Sequence, residues 1–177
     1  MGGQGVGKGT FARMLCERHD YKYIETGKML RDAATTDRVV ADIMARGELL
    51  PFEMLIKLVS QNIDPARDLL LDGFPRTLAQ AQWLVENYAD KFDIHVLYLN
   101  VPESIMIQRI QKRIRDGGGR ADDADNAAIR NRLDIFWNTT MPAIDWLRTA
   151  PGIRFSDVDV IGPVDENFKN ILTALEQ

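Results

Sequence analysis

The sequence is poor in cysteine and histidine, and it has no long apolar run and no excess of positive charge. Cys16 is its one cysteine, which excludes a disulfide framework and a four-cysteine zinc site. His19 and His95 are its two histidines, too few and too far apart for a usual metal motif. No apolar stretch approaches the length of about 18 residues that would suggest a membrane-spanning helix. The first residues are glycine-rich, unlike an apolar signal segment. Lys and Arg number 22 against 26 Asp and Glu, a formal net charge of −4. That balance argues against a general nucleic-acid or membrane-surface binder. The expectation is a cytoplasmic monomer with neither nucleic acid nor membrane as partner.

What is present fits one ordinary domain. The chain has 177 residues, 45% hydrophobic and 27% charged. A domain of this size buries roughly 70% of its unfolded surface and needs no covalent or metal staple. Leu69-Leu70-Leu71 and Ile94 to Leu99 are near-continuous apolar runs, the pattern of strands covered on both faces. Ile153-Arg154-Phe155 is a weaker third and Tyr23-Ile24 a short fourth. Helical patterns lie between them, at Phe11 to Arg18, Phe52 to Ile63, Thr77 to Tyr88 and Glu103 to Ile114. A long one from Asp125 to Leu147 is expected to break near Pro142. Phe168, Ile171, Leu172 and Leu175 form the apolar stripe of a last helix. Strands alternating with helices predict a parallel sheet with helices on both faces. The helix-only stretch from Thr26 to Ile63 predicts a small lobe of its own.

Three constellations carry chemistry. Gly2-Gly3-Gln4-Gly5-Val6-Gly7-Lys8-Gly9-Thr10 fits the phosphate-loop pattern G-x-x-x-x-G-K. Glycines there let backbone N–H groups turn inward around an anion, and the following helix presents its N-terminus to a phosphate. Lys8 adds a mobile charge able to follow a transferred phosphoryl group. The second is Leu71-Asp72-Gly73-Phe74-Pro75-Arg76. An apolar strand ending in Asp suits a carboxylate that holds Mg²⁺ through its water shell. The third is arginine: Arg31, Arg76, Arg109, Arg113, Arg120, Arg130 and Arg132. Guanidinium binds phosphate oxygens bidentately and stays charged. Arg130 reads as a solvated face, and Arg120, flanked by Gly119 and Asp122-Asp123, as functional. Cys16 reads as a small buried hydrophobe, and Trp83, Trp137 and Trp146 as packing residues.

In order along the chain, the loop, Thr26-Gly27 with Leu30-Arg31, Gly47 to Pro51, Asp72 to Arg76, Gly119 to Asp123, Arg132-Leu133 and Gly162 to Glu166 resemble the nucleoside monophosphate kinases. The likeness is greatest to short-lid adenylate kinases of the cytosolic isoenzyme-1 type. Only six residues separate Arg113 from Arg120, which leaves no room for the β-rich insert of long-lid forms. The resemblance implies a P-loop three-layer α/β/α fold with a parallel sheet. It makes the chain a single kinase domain, 1–177, with an NMP-binding lobe at 26–63 and a short lid at 115–123. It implies reversible transfer from Mg²⁺-bound ATP to AMP, giving two ADP.

The site follows from the same resemblance. Gly5, Val6, Gly7, Lys8, Gly9 and Thr10 would cradle the ATP phosphates, with Lys8 the main catalytic cation. Arg109 and Arg113 would face ATP, and Gly162 its adenine. Thr26, Arg31, Glu48, Leu49, Leu50, Gly73, Phe74, Pro75, Arg76 and Gln80 would hold AMP. Arg113, Arg120 and Arg132 would serve catalysis, the last two bridging toward the AMP phosphate. Asp72 would hold Mg²⁺ through water. Thr26 and Gln80 look suited to AMP, where pyrimidine kinases of the family tend to carry Ala and Asn. An exposed Gln80 would be unremarkable on a helix without the resemblance.

Departures leave two other readings, a UMP/CMP kinase and a catalytically weak nucleotide-binding protein. Gln4 stands where the loop usually has proline, which is expected to loosen it. One extra residue lies between Arg113 and Arg120, and another between Arg120 and Arg132. Only Met1 precedes Gly2, whereas a phosphate loop joins a strand to a helix. Four strands are then expected where the resemblance implies five. The strands from Leu69 and Ile94 should flank a gap, or else close up. The simplest account is a start placed too late. The chain is expected to be less stable and less active than one with six or seven apolar residues before Gly2.

Overall fold

A computed structural model describes residues 1–118 and 126–176. The chain alternates strand and helix, as the apolar pattern predicts. Helix α1 (Lys8–Cys16) follows the glycine loop, and β1 (Lys22–Glu25) leads into α2 (Thr26–Ala34), α3 (Arg38–Ala45) and α4 (Phe52–Ser60). Strand β2 (Leu69–Asp72) precedes α5 (Leu78–Tyr88), and β3 (Ile94–Asn100) precedes α6 (Glu103–Arg115). The remainder is α7 (Asn126–Ile135), α8 (Met141–Thr149), β4 (Ile153–Asp159) and α9 (Val164–Leu175). No helix among the described residues is long and apolar enough to cross a membrane.

Local chemistry sets several of these boundaries. The Asp37 carboxylate accepts from the Val39 and Val40 N–H groups and starts α3. The Thr77 hydroxyl accepts from Gln80 N–H and starts α5 one residue later than the sequence suggests. The expected break near Pro142 does not occur. Between α7 and α8 the helix passes through a wide π turn, Phe136–Thr140, and continues. A proline ring collides with the carbonyl four residues back, here Asn138. The π turn contains that residue, and its extra width takes up the lost hydrogen bond.

The strands form two separate parallel pairs. β1 pairs with β2 from Lys22–Leu69 to Glu25–Asp72, and β3 with β4 from Ile94–Ile153 to Asn100–Asp159. Among the described residues these are the only sheets, and β2 is not hydrogen-bonded to β3. The two strands flank an open slot; they have not closed up. Met1 reaches its end, where the Met1 nitrogen donates to the Leu97 carbonyl and Leu99 N–H donates to the Met1 carbonyl.

Helices cover both faces. Val96 packs with Ala81 of α5 and with Ala143 and Leu147 of α8. Leu99 and Val158 join Phe11 and Leu15 of α1 and Phe168 and Ile171 of α9 in the largest core. A second core, around Val40, Leu50, Leu55 and Val59, joins α3 and α4 to Phe74 and Leu84 beside the strands. The helices between β1 and β2 thus carry their own apolar centre.

Candidate active site

The loop Gly2–Lys8 wraps the start of α1. Gly7 takes the left-handed conformation (φ 98°), and its carbonyl accepts from both Thr10 and Phe11 N–H. Gly5 (φ 82°) lies so close to α6 that a β-carbon there would sit 2.6 Å from the Met106 carbonyl oxygen. The loop is therefore held by close backbone approach as well as by its own turns. The first turn of α1 carries no acidic residue of its own, which keeps its N–H groups and dipole favourable to an anion. Lys8 Nζ folds back to donate to the Gly2 and Gly3 carbonyls, at 2.8 and 2.7 Å.

Asp72 ends β2 opposite this loop. Its carboxylate accepts from the Tyr23 hydroxyl at 3.0 Å. A β-carbon on Gly9 would lie 3.9 Å from the same oxygen, so loop and carboxylate face each other. Burial, then the neighbouring Asp72 charge, pushes the Tyr23 phenol well above its ordinary range. Tyr23 therefore stays a neutral donor. Gly73 (φ 84°) and the Phe74–Pro75 peptide, which is cis, turn the chain so that Arg76 Nε donates back to the Gly73 carbonyl.

Loop and turn open into one cleft of about 1170 Å³. Of the residues expected at the site, Gly5 to Thr10, Leu49, Asp72 to Arg76, Arg109, Arg113, Arg132 and Gly162 line it. Other residues expected there do not line it. Thr26 is buried and donates to the Asp72 carbonyl at 2.9 Å. Arg31 pairs with Glu25 at 2.8 Å. Glu48 pairs with Arg46, which holds its carboxyl below the ordinary value. Leu50 belongs to the second core. Gln80 is not exposed as its helix suggested: it is 1% accessible, and its Oε1 accepts from Arg76 N–H at 2.7 Å. Arg120 and most of the expected lid, 115–123, fall at or within 119–125, outside the described residues. Arg109 reaches the loop but spends its guanidinium on carbonyls, donating to Val160 at 2.7 Å, to Ile161 at 3.3 Å and to Val6 at 3.4 Å.

The adenylate kinase family model matches residues 1–151. The chain belongs to the adenylate kinase family. It is 36% identical over 166 residues to an adenylate kinase of Prochlorococcus marinus strain MIT 9301, covering 90% of this chain and 88% of the relative. It is 31% identical to one from Bacteroides thetaiotaomicron, covering 99% and 96%. An adenylate kinase of Thermus thermophilus is 33% identical, with 99% and 94% covered.

Within this adenylate kinase family member, two features escaped the sequence reading. By sequence Tyr23 is part of a short strand, and the β1–β2 register brings its hydroxyl to Asp72. Arg13, one turn into α1, also lines the cleft, and its guanidinium approaches Gly9. Helical spacing from Lys8 could have signalled it. Gln4 does not leave the loop loose: its Nε2 donates to the Ile129 carbonyl of α7 at 2.8 Å. That side-chain tie replaces the stiffness a proline would have given.

Proposed function

We propose that this chain transfers a phosphoryl group reversibly from Mg²⁺-bound ATP to AMP, giving two ADP. One observation carries the reading: the glycine loop with Lys8 and the Asp72–Arg76 turn face each other across a single cleft. An AMP phosphate oxygen attacks the γ-phosphorus of ATP, and the bond to the β–γ bridging oxygen breaks as ADP leaves. No protein nucleophile is needed, so catalysis is positioning and charge stabilisation.

The loop N–H groups from Gly5 to Thr10 hold the β- and γ-phosphates. Lys8 leaves its two carbonyl partners for the phosphoryl group in flight. Arg113 and Arg132, with Arg120, neutralise the developing charge, and Arg76 holds the AMP phosphate. Gln80, whose Oε1 accepts from Arg76 N–H, steadies the turn that meets AMP. Asp72, oriented by Tyr23, has the donor chemistry to hold Mg²⁺ through water. The ion supplies charge neutralisation on the phosphates when bound. The helices of 26–63 act as the AMP lobe and 115–123 as the lid, and their closure excludes water.

A coupled assay of ADP formation from ATP and AMP with Mg²⁺ tests this. ADP formation with AMP strongly preferred over CMP and UMP is the expected result. Preference for a pyrimidine nucleotide, or no turnover with any of the three, would sink the reading.

A further inference from the structure

Helix α7 brings Arg132 to the cleft, and two other parts of the site are bonded to that helix. We propose that Gln4 and Asn131 are positioning residues for Arg132, clamping α7 between the phosphate loop and the AMP lobe. The inference rests on the phosphoryl-transfer reading and deepens it. Both side-chain amides act through the helix and not on the substrate.

On the loop side, Gln4 Nε2 donates to the Ile129 carbonyl at 2.8 Å. On the lobe side, Asn131 Nδ2 donates to the Arg46 carbonyl at 2.8 Å. Arg46 caps the end of α3, and Gly47 after it takes the left-handed conformation (φ 70°). A β-carbon on Gly47 would lie 3.0 Å from the Ala128 carbonyl oxygen and 3.1 Å from Arg132 Cγ. The stem of Arg132 therefore runs against the Gly47 backbone. Arg46 also grips Glu48 with Nε and a terminal nitrogen, each at 2.9 Å, which closes the same turn. Leu133 belongs to the largest core, so α7 is held from within as well.

These contacts flank Arg132 on the helix. At about 100° per residue, Ile129 sits about 60° to one side of Arg132, and Ala128 and Asn131 about 40° and 100° to the other. Rotating α7 about its axis would stretch one amide bond or the other. The loop and the lobe thus fix the direction in which the Arg132 side chain leaves the helix. A guanidinium stabilises a transferring phosphoryl group only where its N–H groups meet the phosphoryl oxygens. Displacement by about 1 Å is enough to cost about a hundredfold in rate.

Stability alone does not account for the Gln4 amide. Its Oε1 is buried and has no hydrogen-bond partner among the described residues. The opposite flip would set Oε1 against the Ile129 carbonyl, two acceptors face to face, so the donor is committed to α7. A buried acceptor left unpaired lowers stability. A local rule broken in this way is the mark of a position kept for function. The use of Gln4 is its hold on the helix that carries Arg132.

The test replaces each amide by an apolar side chain of similar size, Gln4→Met and Asn131→Leu, in the full chain. Without nucleotide, NMR relaxation of the Arg132 Nε–H group should give a lower order parameter in both variants than in the parent. With ATP, AMP and Mg²⁺, kcat should fall about tenfold for Gln4→Met and several-fold for Asn131→Leu. The KM for ATP should change by less than about twofold, since the loss lies in the transition state. The Tm of Gln4→Met should hold or rise, because the unpaired acceptor leaves with the amide. In a chain that also carries Arg132→Met, Gln4→Met should cost less than about twofold, the group it positions being gone. An unchanged order parameter in either variant overturns the two-sided clamp. Parental kcat despite lower order, Tm lost in step with kcat, or an undiminished effect beside Arg132→Met overturns the positioning role. No turnover by the parent with AMP, CMP or UMP would instead sink the phosphoryl-transfer reading, and the positioning role with it.

Discussion

The two ends of the central cleft are built on opposite principles. At the phosphate-loop end, backbone curvature does the work: Gly5 and Gly7 expose amides, and Lys8, Arg76 and Arg109 are held by main-chain carbonyls. At the strand-edge end, the lining is largely apolar, with Leu69, Leu71, Leu84, Ile94 and Leu97 beside Tyr88 and His95. A site for anions is thus assembled from local turns, anchored by Val6 and Phe11 in the largest core. The other end takes its order from pairing between distant segments. The difference predicts that changes to the charges of the loop end alter chemistry, whereas changes to its close-packed glycines or to the strand-edge end alter stability.

The largest expected effect separates chemistry from fold. Lys8→Met should remove ~3 kcal/mol or more of transition-state stabilisation, over a hundredfold in turnover. Its melting curve should stay near that of the parent. Steady-state kinetics beside calorimetry decide this, and a parallel loss of Tm would merge the two ends of the comparison.

Gly5→Ala sharpens it from the other side. The added carbon meets the Met106 carbonyl at 2.6 Å on a backbone at φ 82°. Strain and overpacking together should cost about 3 kcal/mol of stability, read by urea denaturation. A variant that unfolds at the parent's urea midpoint would mean that the loop is not pressed against α6.

Tyr23→Phe should cost less, about 1.5 kcal/mol, the low end for a hydrogen bond to a charged group. The expected signature is a several-fold higher Mg²⁺ requirement with the KM for AMP unchanged. Manganese binding in the presence of ATP, followed by electron paramagnetic resonance, provides a readout apart from turnover. An unaltered metal dependence would reduce Tyr23 to packing.

The smallest effect lies at the strand-edge end. Burial, and then the Arg154 guanidinium, hold the His95 imidazole below its ordinary value of 6.5. In the unfolded chain His95 takes up its proton at higher pH than in the native protein. Stability therefore falls as pH drops through about 6.5 and levels off below the native value. His95→Gln should flatten that part of the Tm–pH curve while leaving turnover near neutral pH unchanged. An undiminished slope would assign the acid sensitivity to other groups.

The strands and most helices were legible because their apolar runs and turn residues agree with the tertiary fold. The phosphate loop was legible because its glycines have no other economical use at that spacing. What could not be read from sequence depends on register. The Tyr23–Asp72 contact exists only because Glu25 pairs with Asp72 and Tyr23 with Leu70. Gln80 looked like an exposed helical residue because nothing local announces that its amide accepts from the turn four residues earlier. Pro142 looked like a helix break because the width of the preceding turn is not encoded by propensity. Cys16 is only partly buried, and Trp137 is 39% exposed while its indole donates to Glu103. Both show that an apolar residue on a helix does not say how deep that helix face sits.

Arg109 has a consequence of its own. One guanidinium on α6 grips a carbonyl of the phosphate loop and two carbonyls at the β4–α9 turn beside Gly162. It works as a yoke. The loop and the turn cannot shift separately without breaking a charged hydrogen bond to one of them. An anion that competes for this side chain loosens both together, so two segments from opposite ends of the sequence respond to a nucleotide as one mechanical part.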